Sequence, residues 1–132
     1  MVLGRKAYKG SLQRIHLTTN EIGDVAATDL IESLKGYGNL VELNLGGNSV
    51  GAKACVAIKE LLSSPKSKLR DLNLQNNDID DEGIAILTRA FADNTTLKDV
   101  DLGLNSDVTP SGWLQFFTCL RSPSSSIELL DL

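Results

Sequence analysis

Two periodicities alternate along this chain. Short stretches place apolar residues at every second position, as in Leu43-Asn-Leu45 and Leu72-Asn-Leu74. That alternation suits a strand with one buried face. Each stretch is followed by apolar residues at helical spacing: Leu30 with Leu34, Ile58 with Leu62, Leu87 with Phe91, and Phe116 with Leu120. Residues four apart stand one turn above another and share a helix face. The pattern therefore predicts strand, turn, helix and loop in succession, several times over.

The succession is an internal repeat. Leu12-Gln-Arg-Ile15-His-Leu17-Thr-Thr-Asn20 returns as Leu40-Val-Glu-Leu43-Asn-Leu45-Gly-Gly-Asn48 and as Leu69-Arg-Asp-Leu72-Asn-Leu74-Gln-Asn-Asn77. It returns again as Leu97-Lys-Asp-Val100-Asp-Leu102-Gly-Leu-Asn105, and a partial copy starts at Ile127. The first positions fall 28, 29, 28 and 30 residues apart. Such a period marks a solenoid, whose units stack because none can bury its apolar face alone. We therefore expect a leading segment over 1–11, a cap or the tail of a preceding unit. Four full units then begin at 12, 40, 69 and 97, with a fifth from 127.

Each position has a physical reading. The strands stack into a parallel sheet. Asn20, Asn48, Asn77 and Asn105 are expected to form a buried ladder, their amides bonding the backbone of adjacent turns. Ala26, Ala54, Gly83 and Gly112 form a small-residue column where helix meets sheet closely. The fourth helix starts at Thr109, an N-cap residue, with Pro110 at its first position. An insertion at Ser106-Asp107 lengthens the turn before it, and proline with serine in loops 63–68 and 121–126 ends two helices.

The chain has 132 residues, 42% of them hydrophobic and 23% charged, as expected of one globular domain. Its net charge of −4 disfavours nucleic acid, which demands a basic surface. A basic protein partner is more compatible. Cys55 and Cys119 show no metal-ligand spacing and sit in apolar helical patterns, so two free, buried thiols are expected. No apolar run approaches the ~18 residues of a membrane span, and the start carries no signal sequence. The setting expected is cytoplasmic or nuclear, with no membrane, metal or cofactor involved.

The frame Leu-x-x-Leu-x-Leu-x-x-Asn-x-Ile/Val over residues 12–132 resembles the ribonuclease-inhibitor type of leucine-rich repeat. Leu61-Leu-Ser-Ser-Pro-Lys-Ser-Lys-Leu-Arg-Asp-Leu-Asn-Leu74 and Asn77-Asp-Ile-Asp-Asp-Glu-Gly-Ile84 resemble it most. The resemblance implies an α/β horseshoe, with a parallel sheet on the concave side and helices on the convex side. It also implies an intracellular protein that binds other proteins. That family usually has more repeats, so a fragment of a longer solenoid is expected. The uncapped C-terminal strand also offers an edge for self-association.

In such a sheet the outward positions form rows. The first is Arg14, Glu42, Asp71, Asp99 and Leu129; the second is His16, Asn44, Asn73, Asp101 and Asp131; the third is Thr18, Gly46, Gln75 and Gly103. Strands ~4.8 Å apart bring Glu42, Asp71 and Asp99 together. Like charges directly opposite destabilise a sheet. That cost points to an acidic groove for a partner's lysine or arginine, with Arg14 and His16 giving it polarity. Plain solvation of an exposed face explains the acids equally well.

Trp113, Phe116 and Phe117 cluster in the fourth repeat and are read as core, with an interface anchor as the alternative. His16 is the single histidine, and no catalytic set can be assembled around it. Gly46-Gly47 is a turn, not a phosphate loop. Asn94-Thr-Thr96 matches a glycosylation acceptor in the wrong compartment. Arg5, Lys6 and Lys9 make a short basic handle. The leading expectation is a non-enzymatic protein-interaction module. A GTPase-activator-like scaffold and a structural unit joined through uncapped ends are its alternatives.

Overall fold

The computed structural model of the chain describes residues 11–121 and 125–132. The segment with Arg5, Lys6 and Lys9, and positions 122–124 of the last proline-bearing loop, lie outside the described residues. Strands and helices alternate: β1 (Arg14–His16), α1 (Asp24–Leu34), β2 (Glu42–Asn44), α2 (Ala52–Ser63), β3 (Asp71–Asn73), α3 (Asp81–Asp93), β4 (Asp99–Asp101), α4 (Pro110–Cys119) and β5 (Leu129–Asp131). The strands form one parallel sheet in chain order. Each helix packs on its sequence neighbours, α1 on α2, α2 on α3 and α3 on α4. The result is an α/β leucine-rich-repeat solenoid, sheet on one side and helices on the other. Between the layers lies one continuous core, to which strands give Leu43, Leu72 and Val100 and helices give Ile58, Leu87, Phe91 and Phe116.

The turn after each strand has a fixed conformation. Thr19, Asn76 and Leu104 take left-handed backbone at φ of 57°, 52° and 58°, and Gly47 takes it at 69°. At Gly47 a Cβ would also come within 2.9 Å of Thr19 Oγ1, so glycine suits this turn twice over. The next residue is the ladder asparagine. Asn77 donates from Nδ2 to Leu45 O (3.0 Å) and Leu74 O (3.1 Å), and its Oδ1 accepts from Val50 N (2.9 Å). Asn48 and Asn105 repeat the arrangement. Each side chain thereby satisfies buried backbone groups of its own repeat and the one before.

Several expectations are corrected. The buried ladder has three members, not four. Asn20 is exposed and its amide donates to Thr18 O within its own turn. In α1 the buried residues are Ala27, Ile31 and Leu34. Ala26 is exposed and Leu30 only half-buried; among the described helices α1 contacts α2. Cys55 is buried but Cys119 is exposed; both are free thiols. Phe117 is 46% exposed, and Trp113 is partly buried against Phe116 at 5.5 Å, edge to face. Trp113, Phe117 and Cys119 match Ile84, Thr88 and Ala90 of α3, which lie buried on the helix that α4 packs against.

Helix starts are capped in two ways. Asp80 and Thr109 accept from Gly83 N and Gly112 N in their own helices. The N-cap of α2 is Gly51, which has no side chain to offer. Asp24 of the preceding repeat takes its place, accepting from Gly51 N (2.9 Å), Ala54 N (2.8 Å) and Lys53 N (3.1 Å). Asp81 likewise reaches forward to Thr109 N at 2.8 Å and Thr109 Oγ1 at 2.6 Å. That approach requires glycine at 112, where a Cβ would stand 2.2 Å from Asp81 Oδ1.

Candidate functional site

The sheet face opposite the core carries the polar rows in register. Glu42 pairs with Asp71, Asp71 with Asp99, and Asp99 with Leu129. Asn44, Asn73, Asp101 and Asp131 form the next row. Together these residues line a shallow groove of about 280 Å³. The alternation that buries Leu43, Leu72 and Val100 is what turns their neighbours toward it.

The two ends of the groove differ. At the β1 end, Arg14 and His16 both turn to Glu42, with Arg14 Nε 3.5 Å from Glu42 Oε2 and His16 Nε2 2.5 Å from Glu42 Oε1. Glu42 is thereby engaged inside the fold. Among the described residues, Asp71 and Asp99 have no such cation in ion-pair contact. Burial raises the Asp71 carboxyl above its ordinary value, as do the hydrogen bond and charge of Asp99 and the charge of Glu42, against a smaller pull from Arg70. A cation arriving between Asp71 and Asp99 would relieve that cost.

The second row serves the fold as well as the groove. Oδ1 of Asn44, Asn73 and Asp101 accepts from Gly46 N (3.0 Å), Gln75 N (2.9 Å) and Gly103 N (2.9 Å). These are side-chain turns that close each strand. Gly46 and Gly103 leave the wall low beside them, whereas Gln75 stands exposed.

Comparison with known proteins decides the family. A family model described as Leucine Rich repeat matches residues 39–59 and 66–85. Ribonuclease inhibitor of Mus musculus is 28% identical over 153 aligned residues, covering 94% of this chain and 33% of that protein. The chain is a leucine-rich-repeat protein of the ribonuclease-inhibitor-like type. NACHT, LRR and PYD domains-containing protein 2 of Homo sapiens is 31% identical over 92% of this leucine-rich-repeat chain and 11% of that protein. The chain thus spans about a third or less of the length of these relatives. Among solved structures, Leiomodin-1 Actin-Binding Site 2 superposes with a TM-score of 0.83 at 17% identity, over 95% of this chain and 72% of that one. At that identity the likeness shows the fold.

Other candidates separate cleanly. Asn94 is buried; its Nδ2 donates to Leu62 O (3.1 Å) and its Oδ1 accepts from Leu97 N (2.7 Å), so the acceptor motif is consumed by the fold. Among the described residues, no group of three or more histidine, cysteine or acidic residues is placed to hold a metal ion. No helix among them is long and apolar enough to cross a membrane. Sequence reasoning missed Leu104, a large side chain 69% exposed in the turn after β4. Its signal was present: leucine stands where the other repeats have Thr19, Gly47 and Asn76.

Proposed function

We propose that this chain is a protein-binding module that receives lysine or arginine side chains of its partner on the sheet face. The carrying observation is the register pairing of Asp71 with Asp99, neither in an ion pair with a cation among the described residues, in a groove also lined by Asp101 and Asp131. Arg14, His16, Glu42, Asn44, Asn73 and Gln75 make up the rest of the contact surface. The ribonuclease-inhibitor relative, whose name denotes a protein that inhibits another, supports binding as the role in place of catalysis. A cytoplasmic or nuclear setting belongs to the same reading.

Asparagine keeps the shape of aspartate and, at the Asp101 position, the turn that Asn44 and Asn73 already make. Asp71→Asn/Asp99→Asn/Asp101→Asn should therefore fold normally. We expect it to lose the proteins that the unaltered chain captures from lysate, with affinity for an isolated partner falling on the order of tenfold or more. The remaining binding should lose its dependence on salt. Equal capture by both, with unchanged circular dichroism, would show the groove to be ordinary solvated surface.

A further inference from the structure

We propose that Leu104 is an apolar contact residue for the partner, so that the segment docked on the sheet face pairs a basic side chain with a nearby apolar one. This inference rests on the acidic-groove reading above and names the partner's chemistry more closely.

Leu104 is anomalous twice. Its side chain is 69% exposed, and it belongs neither to the core nor to the half-buried residues packed against it. Its backbone is left-handed at φ 58°. That region crowds Cβ against the following carbonyl, and only glycine, asparagine and aspartate visit it readily. The same turn is made by Thr19, Gly47 and Asn76, so the fold has no need of leucine there. A strained residue that serves no packing is a pointer to function.

Its position supplies the partner's character. Asn76 N bonds Gly103 O at 2.7 Å, and Gly103 N bonds Asp101 Oδ1 at 2.9 Å. Leu104 therefore stands in the turn after β4, three residues beyond the groove-lining Asp101. Gly103 puts no side chain between it and Asp101; a Cβ there would lie 3.2 Å from that carboxylate. Leu129, also exposed, lines the groove beside Asp99. The acids commit the occupant to positive charge, and the leucines commit it to an apolar neighbour. Apolar contact at the rim also excludes water from the ion pairs and strengthens them. The occupant fitted is an extended segment of another protein in which lysine or arginine is followed by an apolar residue.

Two fluorescent peptides of equal length and charge test this by anisotropy. One alternates lysine and glycine; the other carries leucine in place of every second glycine. The unaltered chain should bind the leucine peptide on the order of tenfold more tightly. Leu104→Asn should abolish that preference, leave the lysine–glycine affinity unchanged, and raise the melting temperature. A preference that survives Leu104→Asn, or a melting temperature that falls, overturns the role of Leu104 while leaving the acidic groove standing. If neither peptide binds, or if binding survives Asp71→Asn/Asp99→Asn/Asp101→Asn, the groove reading fails and this inference fails with it.

Discussion

At Asp71 the sheet places a carboxyl where burial and two neighbouring carboxylates oppose its charge. The folded chain therefore holds a proton on Asp71 that the unfolded chain has released, over the window from an ordinary aspartate pKa of about 3.9 upward to the raised value. Within that window stability rises as pH falls. Above it both states are ionised and the repulsion is present in full. Asp71→Asn removes the repulsion and lets the amide donate to Asp99 without any proton being taken up. At neutral pH it should stabilise the fold by a few tenths of a kcal/mol, roughly up to 1, the scale of like-charge pairs across strands. The gain should shrink as pH falls through the window. Urea titrations of both forms at several pH values check this; a gain independent of pH would place its source in packing rather than charge. Cys55 shows the same physics on a thiol, which burial first, then the charges of Asp24 and Asp80, push up to about 12.

Among the elements, α2 is the one whose start takes its cap from the preceding repeat with no side-chain cap of its own, whereas α4 has Thr109 as well as Asp81. Asp24 accepts three of its backbone N–H groups, while Gly51 contributes none from a side chain. Asp24→Ala leaves donors next to the core without a partner and should cost about 1–2 kcal/mol. Asp24→Asn keeps an acceptor oxygen and should cost less. Asp80→Ala removes a cap internal to α3, with Gly83 N losing its acceptor. Chemical denaturation of the three variants gives the order; Asp24→Ala matching the unaltered chain would show that water replaces the carboxylate fully.

The Asp24 cap was invisible in the sequence because it joins residues 24 and 51–54, and no local motif marks it. Thr109-Pro110 was legible because cap and helix are adjacent. The strand rows were legible for a similar reason: a strict period of two, repeated at a fixed interval, leaves one register that buries Leu43, Leu72 and Val100 together. That register also fixes the company of Glu42, Asp71 and Asp99. It did not reveal that Arg14 and His16 would turn onto Glu42, which depends on rotamers. The column at Ala26 and Leu30 failed because alignment assumes two neighbours for every helix. With α2 as its one helical neighbour among the described residues, α1 buries Ala27 and Ile31 instead.

For the whole molecule, neighbour packing sets how stability is distributed. Helices touch only the helices before and after them, so each repeat is stabilised mainly by its neighbours. Among the described helices α2 and α3 are flanked on both sides, whereas α4 packs on α3 alone. The single tryptophan, Trp113, sits on α4 and reports that repeat. In urea its fluorescence should change at a lower midpoint than far-ultraviolet dichroism, which averages all four helices, by roughly a few tenths molar. Asn105→Ala should widen the gap, because Asn105 ties the fourth repeat to Leu74 O and Ile79 N of the third. Coincident curves would instead mean that coupling between repeats exceeds the deficit at α4. The same repeat carries Asp99, Asp101 and Leu104 of the proposed contact surface. A ligand that engages them binds only the folded repeat and shifts its unfolding by mass action. The lysine–leucine peptide should therefore raise the Trp113 midpoint toward that of dichroism, and in Leu104→Asn it should raise it less. A peptide that raised both midpoints equally would be binding away from the fourth repeat.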